Sequence, residues 1–220
     1  GRRSLPVLRD ADGDGDLDAY LVNNHGEHGD TAMQVKGLHA KVASGQIKTP
    51  FIRDENGQVV DVVPELQNIV QVMRVGREYL ILPRAERDRL YRNNGDGSFI
   101  DVTDQCGMKD YDFGLSATWW DHNEDGWPDL YVANDFFGAD RLYQNNGDGT
   151  FTDVINSTIP HTPWFSMGTD IGDLNNDGRI DLMASDMAGT SHYRQKVSMG
   201  DMEQNRWFLL GAEPRQYMRN

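Results

Sequence analysis

A nine-residue acidic stretch occurs three times in this chain, and each copy runs straight into a β-like segment. The copies are Asp10-Ala11-Asp12-Gly13-Asp14-Gly15-Asp16-Leu17-Asp18 before Ala19–Val22, Asp121-His122-Asn123-Glu124-Asp125-Gly126-Trp127-Pro128-Asp129 before Leu130–Asn134, and Asp173-Leu174-Asn175-Asn176-Asp177-Gly178-Arg179-Ile180-Asp181 before Leu182–Ala184. Oxygen-bearing side chains fall at positions 1, 3, 5 and 9 of each copy, and glycine falls at position 6. A hard cation such as Ca²⁺ takes about six to eight oxygens at roughly 2.3–2.6 Å, which a short loop supplies only by curling around the ion. Glycine permits the sharp turn after the third ligand. The candidate ligands are therefore Asp10, Asp12, Asp14 and Asp18; Asp121, Asn123, Asp125 and Asp129; and Asp173, Asn175, Asp177 and Asp181. Position 7 holds Asp16, Trp127 and Arg179, and these unlike residues are expected to offer the backbone carbonyl. One such copy alone would read as a solvated acidic turn. Three copies with one spacing point to three Ca²⁺ sites.

The EF-hand loop starts in the same way, but it closes on a bidentate Glu at position 12 between two helices. Here position 12 is Leu21, Val132 or Ala184, and the residues that follow alternate as strands do. Dockerin-type loops fail on the same position. Both readings are rejected.

A second motif repeats in step with the first. The run Asp88-Arg89-Leu90-Tyr91-Arg92-Asn93-Asn94-Gly95-Asp96-Gly97-Ser98-Phe99 returns as Asp140-Arg141-Leu142-Tyr143-Gln144-Asn145-Asn146-Gly147-Asp148-Gly149-Thr150-Phe151. Asp88 and Asp140 lie 52 residues apart, as do Asp121 and Asp173. Two motifs with one period define a unit of about fifty residues, which suits a four-stranded propeller blade. Asn-Gly between strand-like flanks predicts a hairpin with a type I′ turn. A cation at Asp96 or Asp148 is the alternative use of that segment, and the plain turn is the preferred one. Tyr91, Tyr143, Phe99 and Phe151 are expected to pack between blades.

These loops, with Phe113-Gly114-Leu115-Ser116-Ala117 ahead of the second, resemble the FG-GAP/VCBS repeat of integrin-α-like β-propellers. Their pairing with Arg-Leu-Tyr-x-Asn-Asn-Gly-Asp-Gly-x-Phe is similar to the cartilage-acidic-protein subgroup and its bacterial relatives. The third copy departs, with Phe165-Ser166-Met167-Gly168 at the Phe-Gly position. The resemblance implies an all-β fold: a partial propeller of about three blades with calcium loops, interrupted by insertions. One insertion is expected at about 25–87, because the first loop lies far from its Asn-Asn-Gly turn, and a second, irregular one at about 188–213. Within the first, Thr31–Ser44 has weak helical character, Gln58–Val63 and Gln71–Leu82 alternate as strands, and Glu55-Asn56-Gly57-Gln58 reads as a turn. Since propellers close with four to eight blades, the chain reads as a fragment, with the rest of the ring outside it.

Charge and motif content narrow the function. The formal charge is −14, which three Ca²⁺ ions would reduce to −8, and an acidic surface argues against nucleic acid. No apolar run approaches the roughly 18–20 residues of a membrane span. The chain begins with Gly1 rather than Met, so a processed start would hide a secretory segment. Loops of this kind stay loaded where calcium is millimolar, which favours an extracytoplasmic location: secreted, periplasmic or cell-surface. No Gly-x-Ser-x-Gly, P-loop or His-Glu-x-x-His pattern occurs, and no residue is assigned a catalytic role. Cys106 reads as a buried structural thiol, and Trp119-Trp120 as packing residues rather than a sugar platform. Asn156-Ser157-Thr158 is a glycosylation sequon, and His25-Gly26-Glu27-His28 a weak transition-metal candidate. The resulting expectation is a non-catalytic module for recognition, adhesion or assembly, with a protein or glycan partner. The alternative is the scaffold of a carbohydrate-active enzyme, of lyase or dehydratase type, or a lectin.

Overall fold

The computed structural model describes residues 5–24, 44–45, 51–57, 59–64, 67, 70–75, 78–83, 85–108, 111–135, 138–163 and 165–187. Thr31–Ala43, His25–His28, Ser191–Ala212 and Pro214–Asn220 lie outside them. The elements are β1 (Leu5–Arg9), β2 (Asp18–Val22), β3 (Phe51–Arg53), β4 (Val59–Val62), β5 (Val70–Val75), β6 (Glu78–Pro83), β7 (Arg89–Asn93) and β8 (Phe99–Asp101). They continue with β9 (Phe113–Trp120), β10 (Asp129–Asp135), β11 (Arg141–Asn145), β12 (Phe151–Asp153), α1 (Ile155–Thr158), β13 (Ser166–Gly172) and β14 (Asp181–Asp186). The chain divides into two compact units, one of residues 1–24 with 86–188 and the other of residues 25–85 with 189–220.

The first unit is built from repeated antiparallel sheets. Strands run in the order β1-β2-β7-β8 in one sheet, β9-β10-β11-β12 in the next, and β13-β14 in a third. Register repeats as well as order. Ala19 faces Tyr91 and Tyr20 faces Leu90 in the first sheet, while Leu130 faces Tyr143 and Tyr131 faces Leu142 in the second. Each acidic loop is the hairpin connection into the sheet's second strand, and each Asn-Asn-Gly-Asp-Gly segment joins its third and fourth strands. These are the sheets of a partial β-propeller.

Alternation along β10 explains how the sheets stack. Leu130 and Val132, both fully buried, join a core with Tyr20, Val22 and Leu90 of the first sheet, whereas Tyr131 and Ala133 point the other way and pack with Leu142, Ile155 and Leu182. A strand covered on both faces loses the usual polar alternation, and β10 is buried from Asp129 through Asn134. Each large apolar side chain so buried stabilises by about 1.5–3 kcal/mol. Trp119 and Trp120 split in the same way. Trp119 lies in the core shared with the first sheet, its Nε1 donating to the Val7 carbonyl at 3.4 Å, and Trp120 packs toward the third.

Two expectations need correction. Tyr143 and Phe151 are buried between the first and second sheets, but Phe99 is 49% exposed. The Asn-Asn-Gly-Asp-Gly segments do close hairpins, yet not as type I′ turns. Positive φ falls on Gly95 and Gly97, and on Gly147 and Gly149, but not on Asn94 or Asn146. Asn94 N–H instead reaches the Ser98 carbonyl at 3.0 Å, with Asn146 and Thr150 repeating the contact, which makes a longer five-residue connection.

The second unit contains two hairpins among its described residues. Strand β3 pairs with β4 across a turn in which Gly57 N–H donates to the Asp54 carbonyl at 3.0 Å, Gly57 taking φ of 79°. Strand β5 pairs with β6 from Val70↔Pro83 to Val75↔Glu78.

Candidate metal centre

The second and third acidic loops share one hydrogen-bond pattern, and the first varies it by one amide. In the second, Asp121 Oδ1 accepts from Asp125 N at 3.0 Å and Oδ2 from Gly126 N at 2.8 Å, while Asn123 Oδ1 accepts from Asp125 N and Asp125 Oδ1 from Trp127 N. The third repeats each contact: Asp173 with Asp177 N and Gly178 N, Asn175 with Asp177 N, Asp177 with Arg179 N. In the first, Asp10 takes Gly13 N and Gly15 N, and Asp14 takes Asp16 N. The chain is thereby wound around the side chains at positions 1, 3 and 5.

Backbone conformation reveals a further requirement. Position 4 has positive φ in every loop, at Gly13 (77°), Glu124 (60°) and Asn176 (62°), as does position 6 at Gly15, Gly126 and Gly178. A non-glycine residue in this region is uncommon. Because position 4 varies among Gly, Glu and Asn, the sequence pattern conceals the constraint.

In the first and second loops position 9 differs from the others in being buried. Asp18 is 2% exposed and Asp129 fully buried. One carboxylate oxygen ties the loop to itself, Asp18 accepting from Ala11 N, Asp129 from His122 N and Asp181 from Leu174 N, each near 3 Å. The other oxygen leaves the loop: Asp18 accepts from Asn93 N at 2.9 Å and Asp129 from Asn145 N at 2.7 Å. The last acidic residue of the first and second loops thus holds the first Asn of the distant turn in its own sheet. Burial pushes both carboxyls up, against the two N–H donors that pull them down. A buried carboxylate set among further carboxylates calls for positive charge.

The donor chemistry suits a hard cation. Oxygens of Asp10, Asp12 and Asp18 lie within 4.8 Å of one another, a spread that a single ion can bridge. In the second and third loops position 3 is Asn, a neutral oxygen donor. No soft sulfur or imidazole donor is placed at positions 1, 3, 5 or 9. The position-7 side chains of the first two loops turn to neighbouring turns: a methyl group built on Gly95 would meet Asp16 Oδ2 at 2.7 Å, and one on Gly147 would meet Trp127 Nε1 at 2.7 Å. Asp96 and Asp148, the alternative cation positions, have Oδ1 engaged by the N–H and hydroxyl of Ser98 and Thr150.

A third recurring constellation lies at the far ends of the same strands and was not read from the sequence. Asp88 accepts from Tyr20 OH at 2.9 Å and Asn23 N at 2.6 Å, and Asp140 accepts from Tyr131 OH at 2.5 Å and Asn134 N at 2.8 Å. The Phe-Gly element packs here. A methyl group on Gly114 would lie 2.5 Å from Val22 Cγ1 and 3.3 Å from Asp88 Oδ2. In the next sheet Ser166 replaces that glycine and donates its hydroxyl to Asp140 Oδ2 at 2.8 Å, while Ala133 stands where the first sheet has Val22. The departure from Phe-Gly is thus matched by a smaller neighbour and an added hydrogen bond.

The FG-GAP-like repeat family matches residues 76–132 and 121–184. The chain therefore carries FG-GAP-like repeats, in agreement with its propeller sheets. It is 31% identical over 108 residues to cartilage acidic protein 1 of Xenopus tropicalis, a match covering 45% of this chain and 16% of that protein. Among the described residues no helix is long and apolar enough to cross a membrane.

Proposed function

We propose that this chain is a calcium-binding, extracytoplasmic β-propeller segment that serves recognition, adhesion or assembly without catalysis. Asp10, Asp12, Asp14 and Asp18 would hold one ion, Asp121, Asn123, Asp125 and Asp129 a second, and Asp173, Asn175, Asp177 and Asp181 a third, with the carbonyls of Asp16, Trp127 and Arg179 completing each set. The observation that carries this reading is the common winding of three sequence-distant loops around their position-1 carboxylates, with oxygens of Asp10, Asp12 and Asp18 within 4.8 Å of one another in the first. The relative named for cartilage supports an extracellular setting. In this reading the ion neutralises carboxylates that otherwise repel, so its binding energy becomes folding energy.

Thermal melting in excess Ca²⁺ and in excess chelator tests it. The chelated protein should melt at a clearly lower temperature, and an unchanged midpoint overturns the metal assignment. Partner class is tested on immobilised matrix proteins and on a glycan array. Calcium-dependent release of unsaturated product from an acidic polysaccharide would favour the enzymatic alternative instead.

A further inference from the structure

Asn145 is 2% exposed and touches two acidic loops at once. Its Nδ2 donates to the Ala11 carbonyl at 2.8 Å and to the Pro128 carbonyl at 3.2 Å. Its Oδ1 accepts from Gly147 N at 3.0 Å, and its own N–H is held by Asp129 Oδ1. Ala11 is the peptide between Asp10 and Asp12 of the first loop, and Pro128 precedes the last candidate ligand of the second. Trp127 makes a parallel link. A methyl group on Gly13, in the first loop, would lie 3.2 Å from its ring, and one on Gly147 would lie 2.7 Å from its Nε1. The counterpart of Asn145 in the preceding sheet, Asn93, has no such double reach among the described contacts: its Nδ2 donates to Leu17 O, within its own loop, at 3.2 Å.

We propose that the first and second loops bind Ca²⁺ cooperatively, coupled through Asn145 and Trp127; this rests on the calcium reading above. An ion in the second loop fixes Pro128 and Asp129, and Asp129 fixes Asn145. The ordered amide then holds the Ala11 peptide in the bound shape of the first loop, and the Trp127 ring holds Gly13. Part of the ordering cost of the first loop has then been met before its ion arrives. Thermodynamic linkage requires the same help in the opposite direction.

The test is calorimetric titration with Ca²⁺ alone, using the full chain with its third loop silenced by Asp177→Ala. Further silencing the first loop with Asp12→Ala and Asp14→Ala should weaken the second by about five-fold or more. Silencing the second with Asn123→Ala and Asp125→Ala should weaken the first by the same factor. Asn145→Ala should lower that factor, Asn145→Ala with Trp127→Arg should bring it to about one, and Asn93→Ala should leave it unchanged. Trp127→Arg, which installs the residue that the third loop carries at this position, tests the same link should Asn145→Ala fail to fold. Affinities that ignore the neighbouring loop overturn the coupling and leave the calcium reading intact, as does a factor that survives both link variants for the role of those residues. Absence of any binding heat in the wild-type chain overturns the calcium reading itself.

Discussion

Exchanging the packing pairs at the Phe-Gly position tests the repeat geometry at the level of single methyl groups. Gly114 lies in a strand with ordinary φ, so its requirement is steric: a Cβ there would stand 2.5 Å from Val22 Cγ1. Gly114→Ser alone should therefore cost about 1–3 kcal/mol through overpacking. Val22 is 2% exposed, and Val22→Ala alone removes two buried methyl-sized groups, costing about 2 kcal/mol with the cavity included. Together the two changes recreate the Ser166–Ala133 pair. The new hydroxyl gains Asp88 as acceptor, as Ser166 has Asp140, since a Cβ at 114 lies 3.3 Å from Asp88 Oδ2. The double variant should thus lose at least about 1 kcal/mol less than the sum of the singles. Urea unfolding at fixed saturating Ca²⁺, with m-values compared, reads these differences. A double variant destabilised by the full sum, or a Gly114→Ser chain as stable as wild type, refutes the reasoning.

Two further predictions follow from buried titratable groups. Burial holds the Asp140 carboxyl above its ordinary 3.8, against the donors Tyr131, Asn134 and Ser166 that pull it down. As pH rises from about 4 the unfolded chain ionises first, so wild type loses stability until the buried group also ionises. Asp140→Asn lacks that loss, so wild-type melting should fall relative to the variant across this window, and a flat difference from about pH 4 to 8 contradicts it. Cys106 is fully buried and burial pushes its thiol up, so a disulfide-exchange reagent should label it only after unfolding; rapid labelling of the native chain contradicts its core position.

Much of this architecture was legible because two motifs share one period, and the structure supplies the reason. Asp18 and Asp129 hold the backbones of Asn93 and Asn145, so loop and turn recur together in the first two sheets. The alternation of Trp119 and Trp120 was likewise readable from strand periodicity. The turn type was not, because Asn-Gly specifies left-handed geometry only where the flanking strands close over two residues, and here Asp96 and Asp148 recruit Ser98 and Thr150 into a longer connection. Exposure of Phe99 depends on which sheet covers it, which local pattern does not encode. The contact of Gly114 with Val22 joins residues from neighbouring sheets far apart in the chain. The same distance hid the reach of Asn145 to Ala11.

Equilibrium binding of Ca²⁺ to the metal-stripped chain is the most direct measurement of the central claim. Three ions should bind per chain, falling to two in Asp177→Ala, with melting temperature rising as the sites fill. A chain that binds no Ca²⁺ at millimolar concentration, and melts at the same temperature with and without it, contradicts the account.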